Sequence, residues 1–172
     1  MQKPPGGCYL VSKTLVLQAG DYLYGASANV PIAGSPYDGV VIRLAANKNI
    51  PLLQTFDSQA PSGGGNEFMA LENIVFDGNG SQQTQELKGQ ALVDYRGTFI
   101  QTFLRHVMIT NAYGPGLFTG STELDNVWII GCSTSTYSWI HNPGSAGLGA
   151  LLVNQSMWKT RQFLPEDTAH PG

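Results

Sequence analysis

Three charged residues occupy the same place in a six-residue pattern that occurs three times in this chain. Glu72, Arg105 and Asp125 each follow a leucine and precede Asn or His. If the three segments are neighbouring strands, two acids flank a base on one outward face, and glycosidases use paired carboxylates roughly 5 to 9.5 Å apart. The same row is also a ladder of exposed ion pairs, each worth about 0 to 1 kcal/mol. Because a base between two acids favours their charged forms, which a general acid cannot use, we prefer the ion-pair interpretation.

Asp77 is a further carboxylate candidate. It lies in the segment Phe76-Asp77-Gly78-Asn79, which is typical of a turn: the aspartate accepts a hydrogen bond from the following backbone and Gly78 supplies a positive φ. The equivalent places in the other two copies hold Thr110 and Ile130, so they bring no second carboxylate. We therefore expect a turn residue here.

The other residues that could do chemistry are scattered along the chain. They are Asp38, Asp94, Glu123, Cys8, Cys132, His106, His141 and His170. The three acids are isolated in the pattern, and the cysteines and histidines have neither metal-ligand nor CxxC spacing. We expect no metal site and no cofactor, and we expect both cysteines to be buried, reduced thiols.

The repeated pattern itself indicates how the strands are arranged. It reads Leu, variable, Asn or His, Ile or Val, variable, Ile or Phe, and begins at Leu71, Leu104 and Leu124. The longer interval contains a polar insertion at residues 81–85, so the underlying period is about twenty residues, as in one coil of a β-solenoid. We predict that the three leucines stack in a buried ladder. The Asn or His at the third place suits a sharp bend, because it tolerates left-handed backbone.

Composition favours an all-β chain. The 21 glycines and 10 prolines are spread evenly, and apolar residues come in short runs rather than at helical spacing. The runs predict ten short strands between Cys8 and Val153, separated by loops at residues 27–36, 59–65, 78–89 and 141–147. We expect one domain over residues 1–172, with a lead-in at 1–6 and a C-terminal tail at 156–172.

An apolar strip is expected on the outside of the ladder. Val75, Met108 and Trp128 share the fifth place of the pattern, and strand alternation directs this place outward. A contiguous exposed apolar strip is more often a subunit interface than a sugar-stacking surface. We therefore predict an oligomer interface at these three residues.

Charge and hydropathy exclude several classes of protein. Only 12 % of the residues are charged, against roughly 25 % in most soluble proteins, and the net charge is −3. Without any basic run the chain has no surface for tracking phosphates, so nucleic acid is not an expected partner. The longest apolar runs, such as residues 127–130, are far shorter than the roughly 18 residues of a membrane span. We expect a soluble chain without a membrane insertion or an export signal.

Four segments, at residues 7–15, 22–25, 41–44 and 71–79, give the chain a family resemblance. Together they resemble the opening of pectate-lyase-like right-handed parallel β-helix proteins, particularly those of bacteriophage tailspikes and tail fibres, and the likeness covers roughly residues 6 to 155. It implies an all-β, single-stranded right-handed parallel β-helix of about five to six coils. It also implies a homotrimer that lies with other virion proteins on a virion or in the extracellular space.

Three functions are compatible with this resemblance, the least favoured being a fragment of a cellular pectin-active enzyme. The first is a non-enzymatic virion structural or receptor-contacting module, such as a tail spike, fibre or decoration protein, whose surface can contact a host surface polysaccharide. The second is a tailspike-type polysaccharide lyase or glycoside hydrolase. Depolymerases of the family converge several carboxylates, or a calcium-binding Asp cluster with a base, on one face. This sequence offers only the weak candidates Glu72, Arg105, Asp125 and Asp77, so we favour the first function.

Overall fold

The prediction of an all-β chain is confirmed. A computed structural model describes residues 7–26, 28–29, 38–56, 67–96, 101–120, 122–133, 137–139, 152–154 and 157–160; for 28–29, 38 and the last three segments only the backbone is described. Within these residues there are 14 strands and one short 3-10 helix, Gly80–Gln82. The strands are β1 (Cys8–Val11), β2 (Leu15–Leu17), β3 (Tyr22–Tyr24), β4 (Ala28–Asn29), β5 (Asp38–Leu44), β6 (Leu53–Thr55), β7 (Ala70–Asp77), β8 (Val93–Tyr95), β9 (Phe103–Thr110), β10 (Leu117–Thr119), β11 (Glu123–Cys132), β12 (Tyr137–Trp139), β13 (Leu152–Asn154) and β14 (Met157–Thr160).

The strands form two sheets. The larger has nine strands in the order β1-β5-β7-β9-β11-β13, with β4 beside β5, β3 beside β7 and β14 beside β11. The smaller has the order β12-β10-β8-β6-β2. From β5 to β12 the chain alternates between the two sheets, so neighbours within a sheet are separated by one strand of the other sheet. Among the described pairs only β4 with β5 is antiparallel.

The buried ladder predicted from the repeat is confirmed. Leu71 is opposite Leu104, which is opposite Leu124, and all three are completely buried. The equivalent fourth and sixth places of the pattern are paired and buried in the same way. They form the ladders Ile74–Val107–Val127 and Phe76–Ile109–Ile129. Residues at the same position of the repeat are therefore directly opposite one another on β7, β9 and β11.

Left-handed backbone at the third place of the pattern is also confirmed. Asn73, His106 and Asn126 have φ of 57°, 49° and 52°. In a regular strand, residues three apart face opposite sides of the sheet. The left-handed residue interrupts this alternation, which lets Leu71 and Ile74 both face the core. The sequence pattern thus describes a strand with a bend at its third residue.

The prediction that the outer apolar strip is exposed is wrong for two of its three residues. Val75 and Met108 are buried in a second apolar cluster with Val41, and Trp128 and Ile130 pack half-buried against it. The physical reason lies in the cluster itself, because Val41, Val75, Met108 and Trp128 are consecutive neighbours across four strands and pack on one another; β4, which is hydrogen-bonded to β5, also lies close to β7 and β9. An oligomer interface at Trp128 stays a prediction.

Three further predictions concern the cysteines, the C-terminal tail and the loops. Cys8 is exposed on the edge strand β1, so the prediction of two buried thiols holds only for Cys132; both are free thiols. Strand β14 lies inside the predicted C-terminal tail and pairs with β11. The lead-in at residues 1–6 and most of the loops at 27–36, 59–65 and 141–147 lie outside the described residues, as do His141 and His170.

Candidate functional site

The amino-terminal halves of four adjacent strands place their outward side chains in two rows. One row runs Tyr24–Glu72–Arg105–Asp125 across β3, β7, β9 and β11. The other, two residues earlier on each strand, runs Tyr22–Ala70–Phe103–Glu123. The buried leucines between the rows fix both rows outward. We call the seven larger side chains the aromatic–charged face: Tyr22, Tyr24, Glu72, Phe103, Arg105, Glu123 and Asp125.

The turn before β3 and the glycine after it hold this strand against β7. Asp21 accepts a hydrogen bond from the Gln18 amide at 2.8 Å, and its own carbonyl accepts one from the Ala70 amide. After the strand, the Gly25 amide donates to the Glu72 carbonyl at 2.9 Å. A Cβ at Gly25 would lie 2.0 Å from the Asn73 carbonyl oxygen, so only glycine allows this close approach. Strand β3 is thereby fixed beside Glu72.

Tyr22 and Glu72 form a hydrogen-bonded pair on the aromatic–charged face. The Tyr22 hydroxyl donates to Glu72 Oε2. This hydrogen bond to a carboxylate is the main reason that the pKa of the Tyr22 phenol is raised above its ordinary value. The phenol therefore keeps its proton at neutral pH and orients the carboxylate of Glu72.

Three aromatic rings make up most of the apolar part of the face. Tyr22 is 56 % and Tyr24 58 % exposed, and their ring centroids are 6.1 Å apart in an edge-to-face arrangement. Tyr22 also contacts Phe103 edge to face at 6.1 Å, although β7 separates their strands. The two rings meet over Ala70, the small buried residue between them on β7. A larger side chain at this position would keep the rings apart.

Arg105 lies in the predicted row, but its observed partner is different from the one expected. Its guanidinium is 3.3 Å from Glu123 Oε1 and its central carbon is 4.2 Å from the Phe103 ring centroid. Glu123, which the pattern had left isolated, is the diagonal neighbour of Arg105 on β11. Glu72, Arg105 and Asp125 do occupy adjacent places in one row, as predicted. Because Arg105 and Glu123 are each about 40 % exposed, their ion pair contributes only about 0 to 1 kcal/mol.

Asp77 is a structural residue. It is almost completely buried, Arg43 lies 2.7 Å from its Oδ2, and its Oδ1 accepts hydrogen bonds from the Asn79 amide at 2.8 Å and from Asn111 Nδ2 at 3.3 Å. The turn is confirmed, but its positive φ belongs to Asn79, at 51°. Gly78 is required for a different reason: a Cβ there would lie 2.7 Å from the Asn111 carbonyl oxygen. With both carboxylate oxygens occupied, Asp77 is not available to a substrate.

Asp94 on β8 is a second buried carboxylate. Its Oδ1 accepts a hydrogen bond from Arg96 Nε at 2.6 Å, and Arg96 also donates to the Gly89 carbonyl and lies over the Phe118 ring. Burial raises the pKa of the Asp94 carboxyl, although Arg96 acts in the opposite direction. A raised pKa suits a general acid, but Asp94 has no exposed surface. Its position fits the anchoring of the segment that contains Gly89 rather than contact with a substrate.

Sequence reasoning missed three residues of the aromatic–charged face, Tyr22, Tyr24 and Phe103, and it left Glu123 isolated from the row. A sequence pattern could have found both pairs, Tyr22 with Tyr24 and Phe103 with Glu123. Tyr22 and Tyr24 flank a leucine, which at strand spacing puts both rings on one side. Phe103 and Glu123 each lie two positions before a predicted row member and therefore share its face.

Comparison with known proteins gives no family. No family model matches this chain, and no curated protein or solved structure matches it. Within the described residues no three His, Cys, Asp or Glu side chains are grouped as metal ligands. None of the helical structure described in this chain has the length and apolar character needed to cross a membrane.

Proposed function

We propose that this chain is a short right-handed parallel β-helix that binds a surface polysaccharide on its aromatic–charged face without cleaving it. The alternation of strands between two parallel sheets supports the β-helix, because one coil of such a fold contributes one strand to each sheet. The in-register ladders at Leu71, Leu104 and Leu124 support it as well. We expect about five to six coils, as a repeat of about twenty residues allows.

The observation that carries the proposed function is the pair of exposed tyrosines beside charged side chains. Sugar rings have apolar faces that pack on aromatic rings, and hydroxyl groups that hydrogen-bond to carboxylates and guanidinium groups. Tyr22 and Tyr24 supply the rings, and Glu72 and Arg105 lie in the next two places of the row that begins at Tyr24. Stacked repeats give an extended surface, which suits a polymer better than a small ligand.

The proposal includes the setting in which the module works. A stiff, weakly charged β-helix fits a virion structural or receptor-contacting role, as a tail spike, fibre or decoration protein assembled with other virion proteins. We propose a homotrimer, with Trp128 and the adjoining half-buried Ile130 at the contact between subunits. The expected location is the virion or the extracellular space.

A polysaccharide lyase or glycoside hydrolase is the second candidate function. It is favoured by Glu72 and Asp125, which flank Arg105 in one row and so belong to strands about 9.6 Å apart, twice the usual strand spacing. Against it, the Glu72 carboxylate is held by Tyr22 and Arg105 is engaged by Glu123. Both contacts occupy groups that a catalytic acid and base would need free for their substrate.

Affinity electrophoresis through gels containing host surface polysaccharide tests the binding function. We expect Tyr24→Ala to weaken retention about tenfold, equivalent to about 1.4 kcal/mol. Tyr113→Ala is the matched control, since Tyr113 is also a partly exposed tyrosine but lies away from the face. Equal retention of wild type and Tyr24→Ala would contradict the proposal.

A reducing-end assay on the same polysaccharide separates the two candidate functions. We expect no new reducing ends with the wild-type protein. If wild type releases them and the double variant Glu72→Gln, Asp125→Asn does not, the depolymerase replaces the binding module as the function of this face.

A further inference from the structure

We infer that the polysaccharide recognised by the aromatic–charged face carries free amino groups and is therefore cationic. This inference rests on the proposed function and specifies its ligand class. It follows from the charges on the face, from the environment of Glu72 and from the exposed tyrosine rings.

The charges on the face favour a cationic ligand. Glu72, Glu123 and Asp125 are three carboxylates, and Arg105 is the single cation among the seven side chains of the face. Arg105 is already paired with Glu123 at 3.3 Å. A uronic acid or a sulfated sugar would therefore meet these carboxylates, and the one cation of the face is already paired. Charges at contact distance act within the Debye length of about 8 Å at physiological ionic strength, so this repulsion is not screened away.

Glu72 is placed to receive an ammonium group. Its Oε2 accepts the Tyr22 hydroxyl, which leaves Oε1 without a hydrogen bond among the contacts of the described residues. The same hydrogen bond raises the pKa of the Tyr22 phenol, which is already a neutral donor at its ordinary value. The carboxylate is thus oriented by this hydrogen bond, and its second oxygen can bind a cation.

The aromatic rings supply the second part of the site. Tyr22 and Tyr24 are both more than half exposed and meet edge to face. The face of a tyrosine ring attracts cations, with a free energy of about 0.5 to 1 kcal/mol at exposed sites. The same surface already holds one cation in this way, since the Arg105 guanidinium lies 4.2 Å from the Phe103 ring centroid. An amino sugar could place its ammonium at Glu72 and its ring on a tyrosine.

Calorimetry with three oligosaccharides of equal length tests the inference. The probes are a β-1,4-linked glucosamine hexamer, its fully N-acetylated counterpart, which is neutral, and a galacturonic acid hexamer, which is anionic. At mildly acidic pH, where the amines are protonated, we expect wild type to bind the glucosamine hexamer about tenfold more tightly than the N-acetylated one, equivalent to about 1.4 kcal/mol. We expect no binding of the galacturonic acid hexamer.

Two variants test whether Glu72 causes the preference for the glucosamine hexamer. Glu72→Gln keeps an oxygen that can accept the Tyr22 hydrogen bond but removes the charge, so it should reduce the preference for glucosamine to about twofold or less. Glu86→Gln is the matched control, because Glu86 lies beyond the opposite end of β7. It should leave the preference unchanged. Raising the salt concentration should lower the preference of wild type but not of Glu72→Gln.

The outcomes distinguish this inference from the function on which it rests. Binding of all three hexamers with equal affinity, lost in Tyr24→Ala, would overturn the cationic ligand and leave the polysaccharide-binding face in place. Tighter binding of the galacturonic acid hexamer would also overturn the inference. Absence of binding to every probe and to host polysaccharide would overturn both.

Discussion

The Arg43 guanidinium on β5 lies 2.7 Å from the Asp77 carboxylate on the adjacent strand β7, and the two residues are directly opposite each other. Their exposures are unequal: the Asp77 side chain is 2 % exposed, and that of Arg43 is 40 % exposed. Removal of the arginine therefore leaves a buried carboxylate whose donors among the described residues are Asn79 and Asn111. Removal of the aspartate leaves an arginine that water can solvate.

Arg43→Met should lower the free energy of unfolding by about 1 to 3 kcal/mol, the cost of a buried polar group that loses a partner. Urea unfolding followed by circular dichroism measures the change. Lys13→Met is the control, because Lys13 is an exposed cation and its replacement should change stability by less than about 0.5 kcal/mol. Equal effects of the two substitutions would mean that the ion pair does not stabilise Asp77.

Leu104→Ala should cost about 2 to 5 kcal/mol, because it opens a cavity in the middle of the leucine ladder. Leu104 has no exposed surface and lies between Leu71 and Leu124. Leu10→Ala makes the same chemical change at a residue that is 68 % exposed, and it should have little effect. The two variants are compared by urea unfolding. Similar stabilities would show that the ladder does not form the core.

His106 allows a test of the backbone bend. Its φ of 49° is unfavourable for a β-branched side chain, whereas asparagine tolerates it and already occupies the equivalent positions 73 and 126. We expect His106→Asn to be neutral or stabilising and His106→Val to cost about 1 to 2 kcal/mol. Because His106 is exposed, no change in core packing complicates the comparison. Thermal unfolding of the two variants gives the order, and a more stable valine variant would contradict it.

The repeat predicted much of the larger sheet for a physical reason. Residues at the same position of the repeat pack on one another, so the repeat alone predicts that Leu71 lies opposite Leu104. Asparagine at the bend reflects a local preference, because its side chain tolerates left-handed backbone. The prediction of exposure failed at Val75, which is buried on strand β7, and strand β4 lies close to this strand. That contact has no counterpart in the repeat, so local periodicity does not encode it.

The candidate site was predicted only in part for a related reason. The row Glu72–Arg105–Asp125 follows from the repeat, because all three are members of it. The partner of Glu72 does not, since Tyr22 is 50 residues away along the chain and reaches β7 through a strand outside the pattern. Pattern arguments assign neighbours within the repeated strands, whereas the chemistry of this face depends on a strand inserted beside them.

Asp94 should make stability depend on pH. Burial raises the pKa of this carboxyl above its ordinary value of 3.8, although the hydrogen bonds and charge of Arg96 act to lower it. The folded protein therefore keeps the proton to a higher pH than the unfolded chain, and unfolding releases it in the interval between the two pKa values. The free energy of unfolding contributed by Asp94 thus falls as the pH rises through that interval, and it is fully present below it.

Replacement by asparagine removes this titration. Urea unfolding from about pH 3 to about pH 7 should show wild type losing stability relative to Asp94→Asn as the pH rises. The difference between the two proteins is the quantity to follow, because other titrating groups are common to both. A difference that is constant over this range, or that changes in favour of wild type, would show that burial does not control the ionisation of Asp94.

Substitution of Trp128 tests the proposed homotrimer. This residue packs half-buried against the cluster of Val41, Val75 and Met108, and its indole N–H donates to Asn126 Oδ1 at 2.8 Å. Tryptophan is enriched among the residues that contribute most to binding at protein interfaces, and a carboxylate at its place would be desolvated without a partner. Trp128→Asp should therefore shift the protein from trimer to monomer in sedimentation velocity, while Lys48→Asp, which changes an exposed side chain, should not. Circular dichroism of both variants establishes that they remain folded, and a wild type that sediments as a monomer up to high concentration would remove Trp128 from any subunit contact.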